Sequence, residues 1–354
     1  MIRHAEAEGN IHRRAHGHYE GQITTRGLAQ IELLKRRFIN ERIDAVYASY
    51  LTRAQVTATA LSEPRGLNII TTEKLCEVCM GVWEDVAWGD IEHANPEMNK
   101  LFNHDPARWA VSESEPYYNV VSRMTSFIEE TAQRHDGETV ALFSHGFAIR
   151  SFLCNLMGYK SEETRKLPYA DNTATALLIF DRGVMTIEYH GDNSHLNDDT
   201  STFARQRWWR AEKVWKSENL RYLPLDESRD SALTEMYRNE IGDRGLSSKE
   251  YTAFLGEETV GFVGLWADSE KPGHLNDEAG WISSIYVKPE FRGDGCGAQL
   301  LGVAISEFRK SKTEYLRIET PLDDHLVIFF NYHGFEEVEK SGDKLIFEKR
   351  IRNW

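Results

Sequence analysis

Two histidine-centred segments and one glycine-rich loop carry the groups in this chain that could do chemistry. The first segment is Arg3-His4-Ala5-Glu6, and the second is Phe143-Ser144-His145-Gly146. A neutral imidazole can attack phosphorus in line, and the phosphoryl group must then be held by donors that match its oxygens, a task suited to the guanidinium fork. Arg3 supplies one fork beside His4. Arg53, in Ser49-Tyr50-Leu51-Thr52-Arg53-Ala54, supplies a second, because a strand ends at Ser49 and Arg53 starts the helix that follows. His145 follows a strand of its own and reaches the same sheet edge. Three cations around His4 as nucleophile would stabilise charge building on the equatorial oxygens. The leaving alkoxide needs a proton, and Glu77, in Leu75-Cys76-Glu77-Val78-Cys79, is the candidate donor, provided that its surroundings keep it protonated.

The third feature is Arg292-Gly293-Asp294-Gly295-Cys296-Gly297, between a strand and a helix. Glycines here let consecutive amides converge on an anion, and the helix dipole adds to the attraction, so a pyrophosphate is the expected guest. The loop lacks the Gly-Lys-Ser/Thr of a nucleoside triphosphatase loop. It also lacks the strand-first position and distal acid of a dinucleotide fold.

The elements that position these groups are legible from periodicity. Residues 27–40 place Leu28, Ile31, Leu34 and Phe38 at helical spacing, and 45–49 is a short buried strand. A helix over 119–134, a strand over 139–144 and a helix over 146–157 continue an alternation typical of a sheet covered on both faces. Residues 174–180 and 185–189 read as a hairpin. Only Met1 and Ile2 precede the Arg3-His4 pair, so the first strand is severely shortened or begins upstream, and there is no room for a signal peptide before it. Past Leu196 the pattern breaks into Asn-Asp-Asp-Thr-Ser-Thr and then a polar stretch with Trp208, Trp209 and Trp215, read as packing a linker helix. Strands at 220–225, 251–255, 260–266 and 281–287 follow, with a helix through Met236 and another over 298–309.

Composition bounds the reading. The chain has 354 residues, 41% of them hydrophobic, enough for two ordinary cores, and a net charge of -14 that disfavours nucleic acid and anionic membrane as partners. Homo-oligomerisation is compatible with it. No apolar stretch approaches the roughly 18 residues needed to cross a bilayer. The four cysteines, Cys76, Cys79, Cys154 and Cys296, show no disulfide framework, so a reduced, cytoplasmic, soluble protein is expected. His12, His16 and His18 could mimic a metal cluster, but Arg13 and Arg14 between them would repel a cation, and no metal is expected. Cys76 and Cys79 have redox spacing yet bracket Glu77 instead of opening a helix.

From Arg3 to about Leu196 the chain resembles the histidine phosphatase superfamily, which includes phosphoglycerate mutases and broad phosphatases. The match runs in order through Arg3-His4-Ala5-Glu6 with Asn10, Gly17, Ile23-Thr24 with Gly27, Ser49 with Arg53-Ala54 and Thr57-Ala58, Glu77 with Gly81 and Trp83-Glu84, Ser144-His145-Gly146, Asn172, and Asp192-Asn193-Ser194-His195-Leu196. The resemblance implies His4 as the phosphorylated nucleophile, Arg3, Arg53 and His145 as the phosphate pocket, Glu77 as proton donor, and Asn10 and Arg14 as further phosphate or substrate contacts. Ala5 stands where many members carry Gly. The stretch around Glu77 looks like the phosphatases rather than the mutases, favouring net hydrolysis.

Residues 219–350 resemble the GNAT acetyltransferases, through Ile285-Tyr286-Val287-Lys288-Pro289-Glu290-Phe291-Arg292, the glycine loop, and Phe329-Phe330-Asn331-Tyr332-His333-Gly334-Phe335. That resemblance implies acetyl-CoA as co-substrate, with its pyrophosphate on the amides of Gly293 to Gly297 and its pantetheine arm pairing near Ile285 and Val287. Many members carry a glutamate where Trp281 stands and a tyrosine where Phe330 stands. Glu278, Glu319, Tyr286, Tyr332, His333 or ordered water remain as substitutes.

The expectation is therefore a histidine phosphatase domain over 1–200, a linker over 201–218 and a GNAT domain over 219–354. The first would be a three-layer α/β/α phosphoglycerate mutase-like domain, the second an α+β domain with a mixed, largely antiparallel sheet. The expected function is bifunctional: hydrolysis of a small-molecule phosphate ester and acetylation of an amine. The alternative is a phosphatase whose GNAT domain is a degenerate CoA-binding or partner-binding module.

Overall fold

The computed structural model describes residues 1–206, 218–226, 228–229, 231–241, 247, 249–266 and 279–352. Trp208, Trp209, Trp215 and Glu278 lie outside them. The chain folds into two compact units. The first comprises Met1–Ala7, Ala15–Asp85 and Ala94–Lys213, and the second Glu8–Arg14, Val86–His93 and Val214–Trp354. Two short segments from the first hundred residues thus belong to the second unit, which contiguous domain limits do not anticipate.

The first unit is built on six strands, β1 (Ile2–Arg3), β2 (Ala45–Ser49), β3 (Ile69–Thr72), β4 (Val140–Ser144), β5 (Thr175–Asp181) and β6 (Val184–Asp192), in the order β3-β2-β4-β1-β5-β6. The first four strands are parallel, and β5 and β6 form an antiparallel extension. The expected hairpin is present. Arg182 and Gly183 both take positive φ at its turn, the geometry that matches strand twist. All five residues of β2 are buried, as a strand covered on both faces requires. Helices α2 (Thr25–Phe38), α3 (Thr52–Ser62), α6 (Tyr117–Arg134) and α7 (Gly146–Leu156) provide the cover, and α5 (Pro96–His104) and α8 (Thr202–Arg205) are further helices of the unit. The segments α1 (Glu8–Ile11) and most of α4 (Trp88–Ala94) go with the second unit.

One helix departs from its apolar pattern. Leu28 of α2 is 55% exposed, whereas Gln30 is fully buried. Gln30 holds that place because its Oε1 accepts the Glu6 N–H at 2.7 Å and its Nε2 donates to Thr200 O at 2.8 Å. A buried amide with both ends satisfied is tolerated where an unpaired one is not. Thr24 caps α2, its hydroxyl accepting from Gly27 N at 3.0 Å.

The second unit carries β7 (Arg221–Pro224), β8 (Lys249–Leu255), β9 (Glu258–Trp266), β10 (Ala279–Val287), β11 (Tyr315–Pro321), β12 (Glu336–Ser341) and β13 (Lys344–Arg350), in the order β12-β13-β11-β10-β9-β8-β7. Every neighbour pair is antiparallel except β10 with β11. Helices α9 (Ser231–Ile241), α10 (Cys296–Lys310) and α11 (Asp324–Tyr332) complete it. Leu300, Leu301, Ala304 and Ile305 of α10 and Phe330 of α11 pack with Val263, Leu265, Ile282 and Ile318 of the sheet into one core. Gly280 lets Phe308 lie on β10, since a Cβ there would fall 2.3 Å from the ring.

A Cβ on Gly27 would lie 2.2 Å from the backbone oxygen of Glu6, two residues from His4. Gly27→Ala should therefore destabilise the protein by roughly 1–3 kcal/mol through overpacking, despite a helix-propensity gain of about 1 kcal/mol. Urea unfolding measures this, and a variant as stable as the parent would contradict the close approach.

Candidate active site

His4 directly follows β1, and His145 directly follows β4. The two strands are parallel neighbours with Arg3 opposite Ser144, so both imidazoles emerge at the carboxyl edge of the sheet. Their ring centroids are 5.1 Å apart. The His4 backbone is pinned by His4 N donating to Ser144 O at 2.9 Å and by Asn172 Nδ2 donating to His4 O at 2.9 Å. Nδ1 of His4 lies 2.7 Å from Ala5 O. A carbonyl oxygen only accepts, so Nδ1 carries the proton and Nε2 the lone pair.

Two guanidinium groups close around these rings. Arg3 donates from Nη1 to Ala170 O at 2.6 Å, and Gly146 leaves the space for it. Arg53, in the first turn of α3, is fully buried and donates to Gly17 O at 2.6 Å and Tyr19 O at 3.2 Å. Among the described residues, the Arg3 Nε, the Arg53 Nε and both ring nitrogens of His145 are buried without a hydrogen-bond partner. Orphaned donors of this kind cost free energy unless a ligand satisfies them.

Burial pushes the imidazoles of His4 and His145 well below their ordinary range, and the Arg53 charge acts in the same direction on both. The expected trio of cations is therefore two guanidinium cations with a neutral His145. Glu77 is buried beside them at the N-terminus of α7. Its Oε1 accepts from Val78 N at 3.0 Å and Ala148 N at 2.9 Å, and its Oε2 accepts from Phe147 N at 3.0 Å. Three of the carboxylate's four lone-pair sites accept backbone donors, so Oε2 keeps one site that could carry a proton towards a leaving group.

His16 joins the cluster, its ring 6.2 Å from His4 and 4.4 Å from Tyr19. In the sequence His16 stands out only with His12 and His18 as a mimic of a metal cluster, in a segment that the resemblance places in the phosphate-facing loop. Asn10 and Arg14 fall in the second unit. Arg14 is buried there and donates from Nη2 to Ser306 Oγ at 2.9 Å. His12, also in that unit, is parted from His16 and His18 of the first. Among the described residues no group of three or more His, Cys, Asp or Glu side chains is placed to hold a metal, and all four cysteines are free thiols.

In the second unit the glycine loop opens α10. Gly293 and Gly295 have φ of 89° and 80°, and a Cβ on either would meet nothing within 4 Å. Gly295 is the N-cap of α10, and no side chain caps that end, so its first amides remain available to an anion. Asp294 and Cys296 flank it, and burial raises the Cys296 thiol to about 11. Arg292 folds back, donating from Nε to Val287 O at 2.9 Å with its guanidinium over Tyr286. The β10 strand pairs with β11 only from Ala279 to Ile282. Ile285, Tyr286 and Val287 pair with β9 alone, leaving one strand edge for an extended ligand. The open loop and this edge fit the phosphates and amide arm of a CoA thioester. Trp281 and Phe330 are fully buried apolar positions, Tyr286 stacks on Phe262, and Glu319 is bonded by Lys344.

Residues 1–193 match the model of the histidine phosphatase superfamily, branch 1. The chain belongs to that superfamily. Residues 248–337 match the acetyltransferase (GNAT) domain, so a GNAT domain follows the histidine phosphatase domain on this chain. Among curated proteins, the chain is 29% identical over 158 residues to phosphoserine phosphatase 1 of Hydrogenobacter thermophilus, spanning 45% of this chain and 75% of that protein. It is 27% identical over 202 residues to phosphoglycerate mutase-like protein 4 of Arabidopsis thaliana, covering 56% and 86% respectively. The solved structure of Bacillus stearothermophilus YhfR superposes with a TM-score of 0.53 at 26% identity, covering 55% of this chain and 96% of that one. Among the described residues no helix is long and apolar enough to cross a membrane.

The neutral histidines set an acid limit on stability. An imidazole lowered in the fold stays neutral while its unfolded counterpart, near 6.5, takes up a proton. The stabilisation is thus present above about pH 6.5 and lost as pH falls below it. His12, pushed down to about 3 by burial, acts in the same sense. Urea unfolding at about pH 5.5 should give a stability lower than at about pH 7.5 by about 1 kcal/mol per buried histidine. A flat profile across that interval would remove the neutral-imidazole account.

Proposed function

We propose that the first unit hydrolyses a small phosphomonoester through a phosphohistidine on His4. The observation that supports it most is the convergence of unpartnered, buried donors from Arg3, Arg53 and His145 around the His4 ring. His4 Nε2 attacks phosphorus while Arg3 and Arg53 neutralise the oxygens and His145 donates a hydrogen bond to them. Glu77 passes a proton to the leaving alkoxide, then takes one from the water that cleaves the phosphohistidine. A water-poor pocket strengthens each of these electrostatic contacts. The name of the Hydrogenobacter relative makes phosphoserine the first ester to offer.

The second unit, on this reading, transfers acetyl from acetyl-CoA to an amine of a small molecule, so that the whole chain is bifunctional. Gly293, Asp294, Gly295, Cys296 and Gly297 hold the pyrophosphate on backbone amides, Arg292 lies beside it, and the edge near Ile285 and Val287 receives the pantetheine arm. CoA supplies the activated acyl group, and the protein supplies orientation and proton removal. The buried Trp281 and Phe330 favour a second reading, in which this unit binds CoA without turnover.

His4→Ala should abolish release of inorganic phosphate from L-phosphoserine and other small phosphomonoesters, and leave CoA affinity unchanged, because separate cores carry the two sites. Rapid-quench labelling with a radiolabelled ester should trap phosphate on the unaltered protein and not on the variant; phosphate release by the folded variant would overturn His4 as nucleophile. Gly295→Leu should weaken CoA binding, measured by calorimetry, by at least roughly tenfold, since φ of 80° is costly for a branched side chain, and leave ester hydrolysis intact. Unchanged CoA affinity would remove the pyrophosphate assignment.

A further inference from the structure

The second unit lacks a carboxylate at Trp281 and a phenol at Phe330, yet a line of hydroxyl groups reaches the place where β10 leaves β11. Pairing with β11 stops at Ile282, and the register with β9 shifts between Ile282 and Ser284, so Ser283 is an extra, bulged residue. Ser283 and Ser284 are both buried at this point. In register, Ser284 lies opposite Gly264 of β9, and Gly264 lies opposite Glu250 of β8, so the three form one row across the sheet.

Gly264 opens that row. A Cβ there would sit 2.4 Å from Ser283 Oγ, 2.8 Å from Ser247 Oγ and 2.9 Å from the Tyr237 ring. A glycine inside a strand normally weakens it. Here its missing side chain makes space for a connected set of hydroxyls. Ser283 Oγ and Ser247 Oγ are 2.6 Å apart, Ser247 Oγ bonds the Tyr237 hydroxyl, and that hydroxyl donates to Glu250 Oε1 at 2.7 Å. Tyr237, from α9, is buried against Phe262. Because the tyrosine donates to the carboxylate, each upstream hydroxyl is free to donate to the next, which leaves a lone pair on Ser283 Oγ. Ser284 Oγ, next to it in sequence, is buried with no hydrogen-bond partner among the described residues, which marks the bulge as a place for a polar ligand group.

We propose that Ser283, Ser247 and Tyr237 relay a proton from the acceptor amine to Glu250, so that Glu250 serves as the base that Trp281 cannot be. The proposal rests on acetyl transfer by this unit. The ammonium form of the acceptor gives one proton to Ser283 Oγ as Ser283 passes its own to Ser247, Ser247 to Tyr237, and Tyr237 to Glu250, which becomes a neutral carboxyl. The freed amine nitrogen bonds the thioester carbonyl carbon, the C–S bond breaks, and the departing thiolate takes the second nitrogen proton. The products are an amide and a thiol, and the Glu250 proton returns to solvent. Ser283 touches the amine. Glu250 acts through the hydroxyls, and the neighbouring charge on its strand, Lys249, is committed to Glu307 at 2.6 Å.

The test follows free thiol released from acetyl-CoA with a panel of amines (L-serine, glucosamine, L-lysine and spermidine) from about pH 6 to about pH 10. Glu250→Gln keeps an acceptor for the Tyr237 hydroxyl but cannot take its proton, and Tyr237→Phe keeps the packing on Phe262 without the hydroxyl. Each should lower kcat near neutrality by roughly a hundred- to ten-thousand-fold, with KM for acetyl-CoA unchanged. The deficit should shrink as pH approaches the pKa of the amine itself, where no base is needed. Both variants turning over with the pH profile of the unaltered protein would overturn the relay and leave acetyl transfer standing. Variants that lose acetyl-CoA affinity together with kcat, at every pH, would also overturn it by showing a structural role. No thiol release by the unaltered protein with any of these amines, while CoA still binds, would overturn the acetyl-transfer reading and the relay with it.

Discussion

The first unit depends on keeping two guanidinium groups buried within reach of two neutral imidazoles. Like charges and desolvation both oppose this arrangement, and the surrounding backbone compensates for part of the cost. Ala170, Gly17 and Tyr19 direct carbonyl oxygens at Arg3 and Arg53, while Ala5 O fixes the His4 tautomer. What the backbone leaves unmet is specific: one Nε on each arginine and the His145 ring. A tetrahedral anion bearing several acceptor oxygens is the ligand that such a remainder selects. Burial and the same field keep His4 unprotonated, which preserves the lone pair that the proposed attack on phosphorus requires.

The second unit solves a different problem with backbone geometry. The β10–β11 pairing stops at Ile282, beside the bulge at Ser283 in the β9 register, and a strand edge is left beyond it. The uncapped start of α10 lies one short loop beyond the end of that strand. Gly264 then lets side chains from α9 and from Ser247 occupy the volume its own side chain would fill. The proposed chemistry of this unit rests on where pairing stops and where a side chain is absent, features that carry little signal in residue type alone.

Much of this was legible before folding. The alternation of helix and strand and the hairpin after Ala174 follow from apolar spacing and turn residues, the mixed sheet of the second unit is implied by the GNAT resemblance, and the structure contains each. His4 and His145 are readable because each comes directly after a buried strand, where the side chain must emerge at the sheet edge, and Arg53 because it opens the helix that follows one. Other features were not legible. Leu28 and Gln30 exchange their expected environments because Gln30 finds partners on Glu6 and Thr200, and distant partners leave no mark on local periodicity. Arg14 follows the same motif as His4 but is bonded to Ser306, and no spacing rule encodes a partner almost three hundred residues away.

The sequence by itself determined which chemistry was available. It placed imidazole and guanidinium at strand ends and glycines ahead of a helix, because those choices are set by residue type and by short-range backbone preference. Tertiary structure alone decided the protonation of His145, the acceptor contacts of Glu77, the entry of His16 into the cluster, and the hydroxyl line from Ser283 to Glu250. Each of these depends on burial and on hydrogen-bond partners contributed by distant segments, and desolvation has no value until the chain has closed around the group.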